Sequence, residues 1–411
     1  MKRYYSWVIA ATTLLTLLVT NGITISGITV FDESLLKEFG WSRGELKFRD
    51  LLTFVIAGLL SPFSGALIDR YGAKKPMIGG ALLLSAAMWV YSRVGSLTDL
   101  YVVHTLFAVV LANCGLIVTI VLVSRWFEAR RGTAIGLTLI GTSLGGIIFP
   151  PLFGGFIASY GWRTAMLIIA TFPLGLAAIL ALVVREYPRD LGMAPWGGLS
   201  GPAAPAATPS ASSADLPGVE YGVAIRSSQF WILALAAMMT FYSILAVAGH
   251  LFLHLRGLGF EPRMAGLGLS AMFLMGLVGK FVFGYLCDVF DKKLVMMLNL
   301  AVMFAGSLCL ASMSPNLLWP FVVLFGAGWG GLYTLLQVLP IQLFGLKAAG
   351  RVIGTIAVLD AIGGGLGPFV TGVLFDRTGS YQLPFALIAG LVFLAMLAAS
   401  LLKPVVTPAR A

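Results

Sequence analysis

Gly65-Ala66-Leu67-Ile68-Asp69-Arg70-Tyr71-Gly72-Ala73-Lys74-Lys75 bridges two apolar runs, 47–68 and 76–94. A related stretch, Gly284-Tyr285-Leu286-Cys287-Asp288-Val289-Phe290-Asp291-Lys292-Lys293, bridges 263–287 and 294–312. Gly65 and Gly284 are 219 residues apart, and so are Asp69 and Asp288. A short charged turn between two runs long enough to cross a bilayer, used twice, points to a repeated bundle of membrane helices.

Working outward, eight further runs complete the pattern. The twelve spans are 7–31, 47–68, 76–94, 98–123, 133–159, 163–184, 228–254, 263–287, 294–312, 316–344, 350–375 and 381–402. Gly132 and Gly350, Gly136 and Gly354, Gly145 and Gly363, Pro150 and Pro368, Gly154 and Gly372, and Gly161 and Gly379 are each 218 apart, and Gly40 and Gly259 are 219 apart. A run of matches at one offset, in corresponding loops, marks two halves of six spans with the same orientation. That is the symmetry of a rocking-bundle transporter, whose site is expected at the midplane between the halves. The expected organisation is an all-α membrane protein: a six-helix bundle in 1–185, a cytoplasmic Pro/Ala/Ser-rich linker in 186–227 and a second six-helix bundle in 228–411.

Composition agrees. Of 411 residues 59% are hydrophobic and 11% charged, with a mean hydropathy of +0.95. No soluble globular domain has that balance. The net charge of +10 reflects loops on one side of a bilayer rather than a nucleic-acid partner. Of the 27 Lys and Arg residues, 17 fall on the side of both termini and nine, including Lys47 and Arg49, on the other. The positive-inside bias therefore predicts cytoplasmic termini. The first apolar run is too long for a signal-peptide core, so it reads as the first membrane helix. Cys114, Cys287 and Cys309 show no metal or disulfide spacing. No HExxH, strand-borne G-x-G-x-x-G, Walker A or G-x-S-x-G context appears, so neither an enzyme nor an ATP-driven pump is expected, and no cofactor beyond a coupling proton. Ser42 and Glu45 read as a capping box opening span two, and Pro262 as the first turn of span eight. Gly132/Gly136, Gly141/Gly145 and Gly363/Gly367 have the spacing of closely packed helices.

Lys280 is the most telling single residue. It lies within Met264–Leu286, otherwise uncharged, where a lysine at membrane depth costs about 3 kcal/mol or more unless it is paired, solvated or used. It is eight residues before Asp288, about 12 Å from that end of span eight. Asp360 is ten residues after Gly350, about 15 Å into span eleven from the same side. Equal depth suggests an ion pair, either static or used in coupling.

The Gly65–Lys75 loop, its copy after span eight, and Arg125-Trp126-Phe127-Glu128-Ala129-Arg130-Arg131-Gly132 resemble the signature loops of the major facilitator superfamily. The resemblance covers the whole chain. It implies alternating access, with Asp69, Arg70, Arg130 and Asp288 forming a cytoplasmic gate. Tyr5-Ser6-Trp7-Val8 and Phe39-Gly40-Trp41-Ser42-Arg43 resemble the opening of the monocarboxylate transporters and the oxalate–formate antiporters. In that branch a span-eight cation, usually arginine, engages the substrate carboxylate, and Lys280 stands in that place. Lysine is a point charge without arginine's planar two-point contact. Two further departures are Gly276, where mammalian members carry an acid, and the uncharged 7–31. The antiporters' second cation, in span eleven, is replaced by Asp360, and one lysine with one aspartate suits a singly charged anion.

The expected substrate residues are Lys280, Asn113, Tyr333, Tyr242 and Gln337, with Asp360 and His250 in proton coupling. When Asp360 takes a proton, Lys280 is released to receive a carboxylate. His254 and His104 are expected at interfaces. The reading is a secondary transporter of the plasma (cell inner) membrane. It carries a small monocarboxylate such as L-lactate or pyruvate with a proton. The alternative is an oxalate/formate-type anion exchanger. The lipid bilayer is the remaining partner, and the sequence names no protein partner.

Overall fold

The computed structural model describes residues 4–197, 218–345, 347 and 349–403, so part of the linker lies outside it. Among the described residues there are helices and two isolated bridges but no strand. Ten helices are long and apolar enough to cross a membrane. They correspond to span one and spans four to twelve. Spans two and three are the helices Arg43–Tyr71 and Lys74–Tyr91. The first of these carries charge at both ends, and the second opens on two lysines.

Span one differs from its expected extent. It runs as an α-helix over Tyr5–Asn21, a π-helical turn over Gly22–Ser26, a 3-10 turn over Gly27–Phe31 and an α-helix over Asp32–Phe39. Packing and local hydrogen bonds explain the irregular middle. A Cβ at Gly22 would strike the Phe149 ring and one at Gly27 the Phe153 ring, so span five presses directly on this backbone. Thr16, Thr20, Thr24 and Ser26 each return a hydroxyl hydrogen bond to the carbonyl four residues back, a pattern that bends helices.

The sequence repeat reappears as repeated packing. In span five, the helix Arg131–Tyr160, Gly141 and Gly145 sit on the carbonyls of Leu14 and Leu18 in span one. In span eleven, the helix Ala349–Thr378, Gly363 and Gly367 sit on the carbonyls of Met238 and Tyr242 in span seven. Small residues permit such approach. Gly132 and Gly136 face open space instead, so their spacing has no packing role. Gly40 and Gly259 (φ 66° and 88°) and Gly161 and Gly379 (φ 75° and 67°) all have positive φ, which only glycine adopts freely. The capping box of Ser42 and Glu45 forms, and Pro262 begins its helix.

The helices gather into two compact units, Met1–Gly201 with Ala248–Phe273, and Pro202–Val247 with Leu274–Ala411. This division departs from a split at the linker because Ala248–Phe273 packs on spans one and five. Arg256 grips Glu33 with two contacts, Nε to Oε2 at 2.5 Å and Nη2 to Oε1 at 2.9 Å. Gly266 is seated on the Pro150–Pro151 backbone, and Phe273 covers Gly146.

The first unit also buries charge that the sequence pattern assigned to a loop. Asp32, Lys47 and Arg49 are fully buried. Lys47 Nζ lies 2.6 Å from Asp32 Oδ2 and 3.4 Å from Asp50 Oδ2. Arg49 pairs with the other Asp32 oxygen and donates to the Tyr91 hydroxyl at 2.8 Å. His104, expected at an interface, is fully buried here, with Nδ1 3.0 Å from the Thr53 hydroxyl. Two acids and two bases balance, the condition under which buried charge is tolerated.

Candidate functional site

The second unit positions the site through backbone contact between spans eight and ten. Span ten is the helix Leu318–Phe344. A Cβ on Gly330 would fall on the Gly276 carbonyl, and one on Gly279 would fall on the Ala327 carbonyl. With both helices at this separation, the Thr334 hydroxyl reaches the carbonyl of Lys280 at 3.4 Å. The Lys280 ammonium then stands over the ring of Tyr333, 5.1 Å from its centroid, a cation–π distance. Span seven adds Phe241, whose ring centroid is 5.6 Å from that of Tyr333. Span eleven, held to span seven by Gly363 and Gly367, brings Asp360 within electrostatic range of Tyr333.

Lys280 and Asp360 therefore both bear on one aromatic residue, Tyr333. Asp360 Oδ1 is buried with no hydrogen-bond partner among the described residues. A buried ionised carboxylate oxygen left this way is costly, and a proton on the carboxyl removes the cost. An ammonium against an aromatic face can form charge-assisted hydrogen bonds to an anion. Of the expected substrate residues, Tyr333 lies beneath Lys280. Tyr242 is 8% exposed, and its hydroxyl lies against Thr371, eleven residues beyond Asp360 along span eleven. Neither Tyr242 nor Thr371 completes a hydrogen bond of full geometry there. Asn113 and His250 belong to the first unit. Asn113 spends its amide on the Val109 carbonyl at 2.9 Å, just before the helix breaks at Gly115. His250 is fully buried and engaged there. The side chains of Gln337 and Asp69 lie outside the described residues.

The sequence profile of the Major Facilitator Superfamily matches residues 12–359 and, a second time, 233–411. The chain belongs to the major facilitator superfamily. This facilitator is 30% identical to monocarboxylate transporter 13 of Bos taurus over 345 residues, spanning 82% of this chain and 74% of that one. It is 25% identical to monocarboxylate transporter 12 of Rattus norvegicus over 407 residues, 93% and 82% of the two chains. These relatives put it in the monocarboxylate-transporter branch. Its fold matches a bacterial homologue of the human lysosomal transporter Spinster with a TM-score of 0.72 at 19% identity, covering 97% and 96% of the chains.

In this facilitator the signature loops are held by a residue that sequence reasoning missed. Glu186 accepts from the backbone of Ala73 at 2.9 Å and of Lys74 at 2.6 Å, and from Arg125 at 2.9 Å. It thereby caps the start of span three, where a carboxylate is favoured. Gly72 is required beside it: its φ is 79°, and a Cβ would strike the Glu186 carboxylate. Arg70, Arg130 and Asp288 are exposed and join no ion pair among the described residues. Phe241 was missed because an uncharged aromatic on an apolar span carries no signal of its own. The extension to Asp32 had a signal, since Asp32, Leu35, Leu36 and Phe39 continue the helical spacing of the run before them.

Proposed function

We propose that this facilitator carries a small monocarboxylate such as L-lactate or pyruvate together with a proton, by alternating access, with both termini in the cytoplasm. The observation that supports this reading is the Lys280–Tyr333–Asp360 grouping. Ionised Asp360 places a negative charge near the ring that holds Lys280 and opposes an incoming anion. Protonation of Asp360 removes that charge and the cost of burying it on an unpartnered oxygen. The anion then binds the ammonium, and its departure favours release of the proton, because a nearby ammonium stabilises the ionised form of a carboxyl. One proton accompanies one anion. Asp69, Arg70, Arg130 and Asp288 serve as the cytoplasmic gate in this scheme.

The test is uptake of labelled L-lactate into proteoliposomes with and without an inward proton gradient. The gradient should accelerate uptake by the native chain, and Lys280→Ala should abolish uptake. A second reading, anion exchange, draws on the seat of Lys280 over the Tyr333 ring, since a cation–π contact needs no proton to be released. It predicts uptake that ignores the gradient and rises with internal anion.

A further inference from the structure

Tyr242 and Phe241 are neighbours on span seven, and the helix sends them in different directions. Tyr242 is turned to span eleven, with its hydroxyl against Thr371 and its carbonyl beneath Gly367. About 100° away on the same helix, Phe241 is only partly buried and packs on Tyr333, the ring that carries the Lys280 ammonium. An anion on Lys280 thus has its carboxylate at the ammonium and its carbon chain beside two aromatic rings. Span seven cannot retreat to make room, because Gly363 and Gly367 hold its carbonyls at backbone distance.

We propose that Phe241 is the residue that limits the length of the carried acid, acting as an apolar stop beside the carboxylate-binding lysine. This rests on the reading of Lys280 as the anion site. The site so bounded favours short acids over long ones. Truncating the ring vacates room for several methylenes, and one methylene in an apolar pocket is worth about 10- to 200-fold in discrimination.

The experiment measures proteoliposome uptake of propionate and of hexanoate by the native chain, Phe241→Ala, Phe241→Leu, Phe241→Trp and Tyr242→Phe, with Lys280→Ala as the reference. The expected result is a hexanoate-to-propionate ratio raised about tenfold or more by Phe241→Ala, raised less by Phe241→Leu and lowered by Phe241→Trp. Tyr242→Phe should leave the ratio unchanged. Lys280→Ala should abolish uptake of both acids. If all three Phe241 variants change total uptake but leave the ratio at its native value, Phe241 is a packing residue and the proposal fails while the lysine site stands. If Lys280→Ala carries both acids normally, the anion site itself is wrong, and a length limit beside it falls with it.

Discussion

The α-carbon of Gly330 lies so close to the carbonyl of Gly276 that no side chain fits at position 330. That contact sets the separation of spans eight and ten, and with it the position of the Lys280 ammonium over Tyr333. Gly330→Ala must push the helices apart or strain them, at a cost of about 1–3 kcal/mol. Thermal unfolding in detergent should show a lower midpoint, and uptake should fall together with affinity for the anion. An unchanged midpoint and uptake would mean the two helices are free to separate.

Gly276 offers a different test. A Cβ there would stand at ordinary contact distances, 3.6 Å from the Gly326 carbonyl and 3.7 Å from Trp329, so Gly276→Asp fits. The new carboxylate is one turn before Lys280, where it competes with the anion for the ammonium. Uptake of L-lactate should become more steeply dependent on low external pH than in the native chain. A pH profile superimposing on the native one would show that the introduced acid does not reach Lys280.

In the proposed scheme protonated Asp360 is the form competent to bind anion, so native uptake should rise as external pH falls. Asp360→Asn mimics that form permanently. It should retain exchange of internal for external L-lactate while losing the response to a proton gradient. A gradient response of native size in the asparagine variant would move the proton to another residue.

The charge cluster of the first unit should behave as a unit. Asp32→Asn leaves Lys47 and Arg49 buried beside a neutral amide, and breaking a buried pair from one side costs about 3–5 kcal/mol. Lys47→Met should be similarly damaging. The double variant, which keeps Arg49 opposite Asp50, should recover folded yield relative to either single change, giving a positive coupling in a double-mutant cycle. Additive losses would show that Asp32 and Lys47 act independently despite their 2.6 Å separation.

Much of the fold was legible because the signals were local. Glycine and proline matches at offsets of 218 and 219 returned as shared turns at Gly161 and Gly379 and as helix-internal prolines at Pro150 and Pro368. The site was legible in part for the same reason. Lysine and aspartate inside apolar runs are conspicuous wherever they occur, since the cost of placing them there is paid residue by residue.

The sequence by itself determined the helical, membrane-spanning character of this chain, its internal repeat and the isolation of Lys280 and Asp360 in apolar surroundings. Each follows from transfer energy or periodicity along a single segment. Only the tertiary structure decided that Phe241 rather than Tyr242 meets Tyr333, that Lys47 and Arg49 are buried against Asp32, and that Gly141/Gly145 pack on a neighbour while Gly132/Gly136 do not. Those outcomes depend on which face of one helix another helix covers. That is settled by shape and charge complementarity between segments distant in sequence, which no single segment encodes.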